Sequence, residues 1–173
     1  HGSYYLTTRD ALGCIVVDSM YMPEPNPLYV SAQELVEVRC FGESNGLAYA
    51  YGNGGNMPYT FDWATGGQTG DTVNTLTAGL DVVTLTDAKG CTATDTVLIH
   101  QPDQLEVSIV DDSTVYAYCL GVNTASLFSL ATGGTMPYTY EWDDNLVAPQ
   151  TTAKAINLLA GVYTITVTDA RGC

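Results

Sequence analysis

The sequence is poor in cations and in histidine. Five Lys plus Arg stand against 19 Asp plus Glu, a formal net charge of −14, and the two histidines are His1 and His100. So few basic side chains exclude nucleic acid as a partner, because binding it takes clustered cations. An anionic membrane surface is disfavoured for the same reason. No run approaches the roughly 18 apolar residues of a membrane span, so direct membrane insertion is not expected. No Ser-His-Asp or Cys-His grouping supplies a nucleophile and its base, which points away from an enzyme and away from any cofactor. A basic-then-apolar leader is also missing at the start. The sequence therefore reads as an internal window of a longer exported chain.

What is present repeats. Gly2-Ser-Tyr-Tyr-Leu-Thr-Thr-Arg-Asp-Ala-Leu-Gly-Cys14 returns as Gly79-Leu-Asp-Val-Val-Thr-Leu-Thr-Asp-Ala-Lys-Gly-Cys91, and again as Gly161-Val-Tyr-Thr-Ile-Thr-Val-Thr-Asp-Ala-Arg-Gly-Cys173. Gly54-Gly-Asn-Met-Pro-Tyr-Thr-Phe-Asp-Trp63 matches Gly133-Gly-Thr-Met-Pro-Tyr-Thr-Tyr-Glu-Trp142, and Cys40-Phe-Gly matches Cys119-Leu-Gly. Pro25, Leu28, Val30 and Ser31 pair with Pro102, Leu105, Val107 and Ser108. Four ordered blocks in register establish an internal repeat.

Within a unit the hydrophobic period is two. Tyr163, Ile165 and Val167 alternate with Val162, Thr164, Thr166 and Thr168, so one face is apolar and the other Thr-rich. Asp-Ala-x-Gly then closes a hairpin, with Asp bonding to the backbone and Gly supplying the left-handed conformation. Strands are predicted at 28–31 and 105–110, 46–52 and 125–131, 59–63 and 138–142, and 92–100. Ser31–Arg39 has some helical character, but its counterpart is β-like, so both read as extended or loop. About seven short strands per unit describe an all-β protein of tandem immunoglobulin-like β-sandwich repeats, stacked as a rod. Residues 1–25 are expected to be the C-terminal strands of a preceding repeat, 26–102 a complete repeat, and 103–173 a repeat lacking its last strand.

The combination of Cys-Phe-Gly, Gly-Gly-x-x-Pro-Tyr-x-x-x-Trp and Asp-Ala-x-Gly-Cys, in this order, resembles the SprB repeat of giant cell-surface adhesins in gliding Bacteroidota. The likeness covers essentially the whole chain. Asp81 stands where Tyr163 fits the pattern, and Leu120 replaces Phe41 after the cysteine. The resemblance implies type IX secretion, an extracellular cell-surface location, and a role in adhesion or gliding motility. In that setting the repeats are a non-enzymatic structural stalk. The alternatives are a glycan-binding module that takes surface polysaccharides, and spacer repeats of a surface enzyme. The expected partners are neighbouring repeats of the same polypeptide.

Cysteine is the most informative residue. Each unit carries one before its second strand (Cys40, Cys119) and one in its last hairpin (Cys14, Cys91, Cys173). No Cys-x-x-Cys or histidine pairing suggests zinc, and recurring pairs in an exported repeat imply disulfides. In a sandwich those two loops lie at opposite poles, about 26 Å apart for an eight-residue strand, whereas bridged Cα atoms sit about 4.4–6.8 Å apart. End-to-end stacking predicts an inter-repeat Cys40–Cys173 bridge, leaving Cys14, Cys91 and Cys119 to partners outside the window. The rival is Cys40–Cys91 within one repeat.

Other candidates are weaker. Asp111-Asp112 and Asp143-Asp144 are acidic pairs for calcium, though solvated loop acids are the plainer reading. Trp63 and Trp142 suggest a sugar platform or, more simply, core. Asp followed by Ser or Thr and a small or aliphatic residue looks like the O-glycan acceptor triplet of the phylum that the resemblance implies. It marks Ser19, Thr72, Thr96 and Ser113 for covalent O-glycans.

Overall fold

The computed structural model describes residues 1–110, 115–119, 121–143 and 149–173. The described residues are all-β, with 53% of them in strands and no α-helix. The strands are β1 (Gly2–Arg9), β2 (Ile15–Met22), β3 (Tyr29–Val36), β4 (Gly46–Asn53), β5 (Thr60–Trp63), β6 (Thr72–Leu76), β7 (Gly79–Thr86) and β8 (Thr92–Ile99). They continue as β9 (Glu106–Ile109), β10 (Ala125–Thr132), β11 (Thr139–Asp143), β12 (Lys154–Leu158) and β13 (Thr164–Thr168). Five small sheets result, with strand orders β1-β2, β3-β4-β6, β5-β7-β8, β12-β10-β9 and β11-β13. The segment 31–39, read as extended or loop, is mostly strand: β3 runs to Val36. Corresponding strands recur in the two copies of the repeat, and β6 and β12, not located from the pattern, occupy matching places. Both are too short and Thr- or Asn-interrupted for a period-two signal to stand out.

The strands fall into two compact units. One comprises His1–Gln33, Tyr49–Thr72 and Asp81–Val97; the other comprises Glu34–Ala48, Val73–Leu80 and Leu98–Cys173. In the first, Val30, Ala50, Trp63, Val83, Leu85 and Val97 are buried. The Trp63 indole donates to the Gly70 carbonyl at 2.9 Å, so its polar edge is satisfied inside the core. On β7 Asp81, Val83 and Leu85 are buried and Leu80 and Val82 exposed, the alternation that the sequence shows in the matching segment 161–168. Asp81 departs from the apolar pattern because its Oδ1 accepts the Thr65 and Val82 amides. On β1 and β2 the counterparts of Val83 and Val97, Leu6 and Met20, are exposed.

In the second unit, Trp142, Ala155 and Leu158 form a cluster with Ala125, Leu127, Tyr163 and Ile165 packed against it. Trp142 donates to the Thr152 carbonyl at 2.9 Å, repeating the arrangement of Trp63. Val38, Leu76 and Ile99 are buried as well, and they close so tightly on Gly46 that a Cβ there would lie 2.7 Å from Ile99. Both tryptophans are core residues and form no exposed sugar platform.

Two glycines meet backbone with no room to spare. A Cβ on Gly54 would lie 1.9 Å from the Pro27 carbonyl oxygen, and one on Gly133 would lie 1.9 Å from that of Gln104; both residues also have positive φ. Gly54→Ala and Gly133→Ala are each expected to cost about 2–3 kcal/mol. Urea unfolding followed by fluorescence of single-tryptophan variants checks this, since Trp63 and Trp142 report on different units.

Candidate cross-linking site

The site is built from a turn and a loop. The turn closing each hairpin is organised by its aspartate. Asp169 Oδ1 accepts the Arg171 and Cys173 amides at 2.8 and 2.9 Å, and Oδ2 accepts the Thr135 amide at 2.8 Å. Asp87 does the same with Lys89, Cys91 and Asn56 at 2.8, 2.9 and 2.9 Å. Asp10 holds Leu12 and Cys14 at 2.9 and 2.8 Å. The glycine before each cysteine has φ between 82° and 91° (Gly13, Gly90, Gly172), the region that favours glycine. Three hairpins therefore present their cysteines in one geometry.

These bonds perturb the carboxyls. Donation from the Cys173 amide, followed by those of Thr135 and Arg171, holds the Asp169 carboxyl below its usual range against the opposing effect of burial. The Cys14 amide does the same for Asp10. Burial pushes the Asp87 carboxyl up, but the amides of Cys91, Asn56 and Lys89 together outweigh it and bring it to about 2.

The loop before the second strand is also repeated. The Arg39 amide donates to Asn45 Oδ1 at 2.8 Å and the Glu43 amide to the Cys40 carbonyl at 3.0 Å. The Tyr118 amide donates to Thr124 Oγ1 at 3.4 Å and the Val122 amide to the Cys119 carbonyl at 3.5 Å. Where turn and loop meet, Cys40 and Cys173 are disulfide-bonded, with Cα atoms 5.7 Å apart and a separation of 133 positions in sequence. The Arg171 guanidinium pairs with Glu37 and reaches the Val38 carbonyl at 3.4 Å. The Val38 amide in turn donates to the His100 carbonyl at 2.8 Å, and the Gly42 amide to Gln101 Oε1 at 2.9 Å. Bridge, ion pair and the contacts of His100 and Gln101 thus converge on residues 37–42. Cys91, the rival partner of Cys40, belongs to the other compact unit, and it is free and exposed, as are Cys14 and Cys119.

The Glu37–Arg171 pair escaped sequence reasoning because its members lie 134 residues apart and neither residue recurs at its matching position. Of the triplet residues, Ser19, Thr72 and Thr96 are exposed, while Ser113 lies outside the described residues. Asp95, which precedes Thr96, has a structural duty of its own, since its Oδ2 accepts the Ala32 amide at 2.8 Å. Of the calcium candidates, Asp143 ends β11 exposed, and Asp111, Asp112 and Asp144 lie outside the described residues.

Two outcomes follow. The Asp87 carboxyl titrates near 2 when folded and near 4 when unfolded, so the unfolded chain binds its proton first as pH drops. The stabilisation it gives is complete above about pH 4 and declines as pH falls toward 2. Acid unfolding of Asp87→Asn is expected to lack that component, read by the amide resonances of Lys89 and Cys91. The bridge joins residues 133 positions apart, for which the chain-entropy model gives about 5 kcal/mol. Cys40→Ser together with Cys173→Ser is expected to lower stability by a large part of that, measured by denaturant unfolding.

No protein-family model matches this chain, and no curated protein is similar to it.

Proposed function

We propose that the chain is a stretch of immunoglobulin-like β-sandwich repeats, stacked as a rod, that serves as the non-enzymatic stalk of an extracellular surface adhesin. One observation supports the reading: the Cys40–Cys173 disulfide joins residues 133 apart in sequence, the loop cysteine of one sequence repeat and the hairpin cysteine of the following one. A cross-link spent between repeats, and not inside one, fixes their mutual orientation. That is what a load-bearing array requires and what a free recognition module does not. A bonded pair also fits an oxidising compartment outside the cytoplasm. The strong negative charge fits an exposed, well-solvated surface filament. The resemblance to SprB repeats supplies the setting of gliding or adhesion. By repetition, Cys14, Cys91 and Cys119 bond to matching loops and hairpins outside residues 1–173 of the same copy.

Pulling on the two ends of the full chain tests the load path. With the bridge intact, the shortest covalent route is residues 1–40 and then Cys173. Complete unfolding then extends it to only about 140 Å, against about 600 Å after reduction. Equal lengths in the two states defeat the proposal. Selective binding on a glycan array would favour the recognition module instead. Mass spectrometry of native peptides is expected to find O-glycan on Ser19, Thr72 or Thr96, the exposed triplet residues; all three unmodified would end that part of the reading.

A further inference from the structure

The middle residue of the hairpin turn faces the partner loop. At the bonded junction Arg171, two positions before Cys173, meets Glu37, three positions before Cys40. At the free loop the residue three positions before Cys119 is Tyr116, followed by Ala117 and Tyr118 where the bonded loop has Val38 and Arg39. Tyr116 and Tyr118 are 72% and 80% exposed. Among the three hairpins, the middle residue is Leu12, Lys89 or Arg171. Leu12 is 92% exposed on a turn whose hydrogen bonds match those of the bonded one.

We infer that this pair of positions is a reading device that sets which hairpin each loop accepts. The loop bearing Glu37 takes a cationic turn, and the loop Tyr116–Cys119 takes the apolar turn Asp10–Cys14 of a second copy of this chain. The inference rests on the proposed repeat-to-repeat cross-linking and adds the rule of partner choice. An apolar side chain against two exposed tyrosines removes apolar area from water. A Lys or Arg placed there has no carboxylate at the Glu37 position to pair with. Continuity with the bonded junction supplies the geometry: the loop hydrogen bonds at Tyr118 and Val122 repeat those at Arg39 and Glu43.

The bond forms by exchange with a low-molecular-weight disulfide. A Cys14 thiolate attacks one of its sulfurs and expels a thiolate; Cys119 of the other copy then attacks the mixed disulfide at the Cys14 sulfur and expels the second. Two protein thiols are oxidised, and one small disulfide becomes two thiols.

The full chain is held at rising concentration in a glutathione redox buffer, and its disulfides are mapped on non-reduced peptides. Head-to-tail oligomers are expected, with Cys119–Cys14 links exceeding Cys119–Cys91 links about fivefold. Tyr116→Glu is expected to invert that ratio toward Cys91, whose turn carries Lys89. Adding Leu12→Lys to Tyr116→Glu is expected to bring Cys14 back. Equal use of Cys14 and Cys91, an unchanged ratio in Tyr116→Glu, or absence of linked oligomers overturns the inference. If Cys40–Cys173 is present in that same map, the stalk reading survives such a failure; if it is missing, both fall.

Discussion

The structure depends on a carboxylate that organises a turn. Each final hairpin wraps its backbone N–H groups around one aspartate, so that both oxygens of Asp87 and Asp169 are committed to amides. Those amides would otherwise be stranded at a tight reversal of the chain, where unpaired donors are costly. Asp81 spends its Oδ1 in a similar way on the inner face of β7, while its buried Oδ2 has no hydrogen-bond partner among the described residues. The turn also aims the cysteine. Because the aspartate holds the cysteine's own amide, the thiol is positioned before any bond to it forms, and less entropy is lost in making that bond.

Much of this was legible in the chain, for reasons particular residues make clear. Asp-Ala-x-Gly-Cys is local, and each of its residues has one physical task, so the turn at 169–173 could be read without neighbours. Alternation on β7 and β13 was strong enough to give both the strand and its inner face. The cross-link was reachable because the repeat supplied two loops and geometry narrowed their pairing. Other features stayed hidden. β3 extends well past the Val30-Ser31 signal because Gln33 and Glu34 interrupt the apolar pattern while the backbone continues. Glu34 proves useful there, accepting the His100 amide at 2.7 Å, a bond spanning 66 residues that no local pattern contains.

The junction combines three kinds of constraint of unequal weight. The partly exposed ion pair of Glu37 and Arg171 contributes little energy in water and gives direction instead. The amides of Val38 and Gly42 donate to the His100 carbonyl and the Gln101 side chain and keep the loop against the segment leaving β8. The disulfide makes the arrangement permanent.

The position of that strut has a further consequence. Residues 41–172 form a closed ring with the sulfurs of Cys40 and Cys173 as its clasp. Cutting any one peptide bond inside the ring leaves the two ends of the chain joined, because the other arc still holds. Parting the two ends takes both a cleaved peptide bond within 41–172 and reduction of the clasp, neither of which suffices alone. The ring gives the chain tolerance to breakage as well as shape.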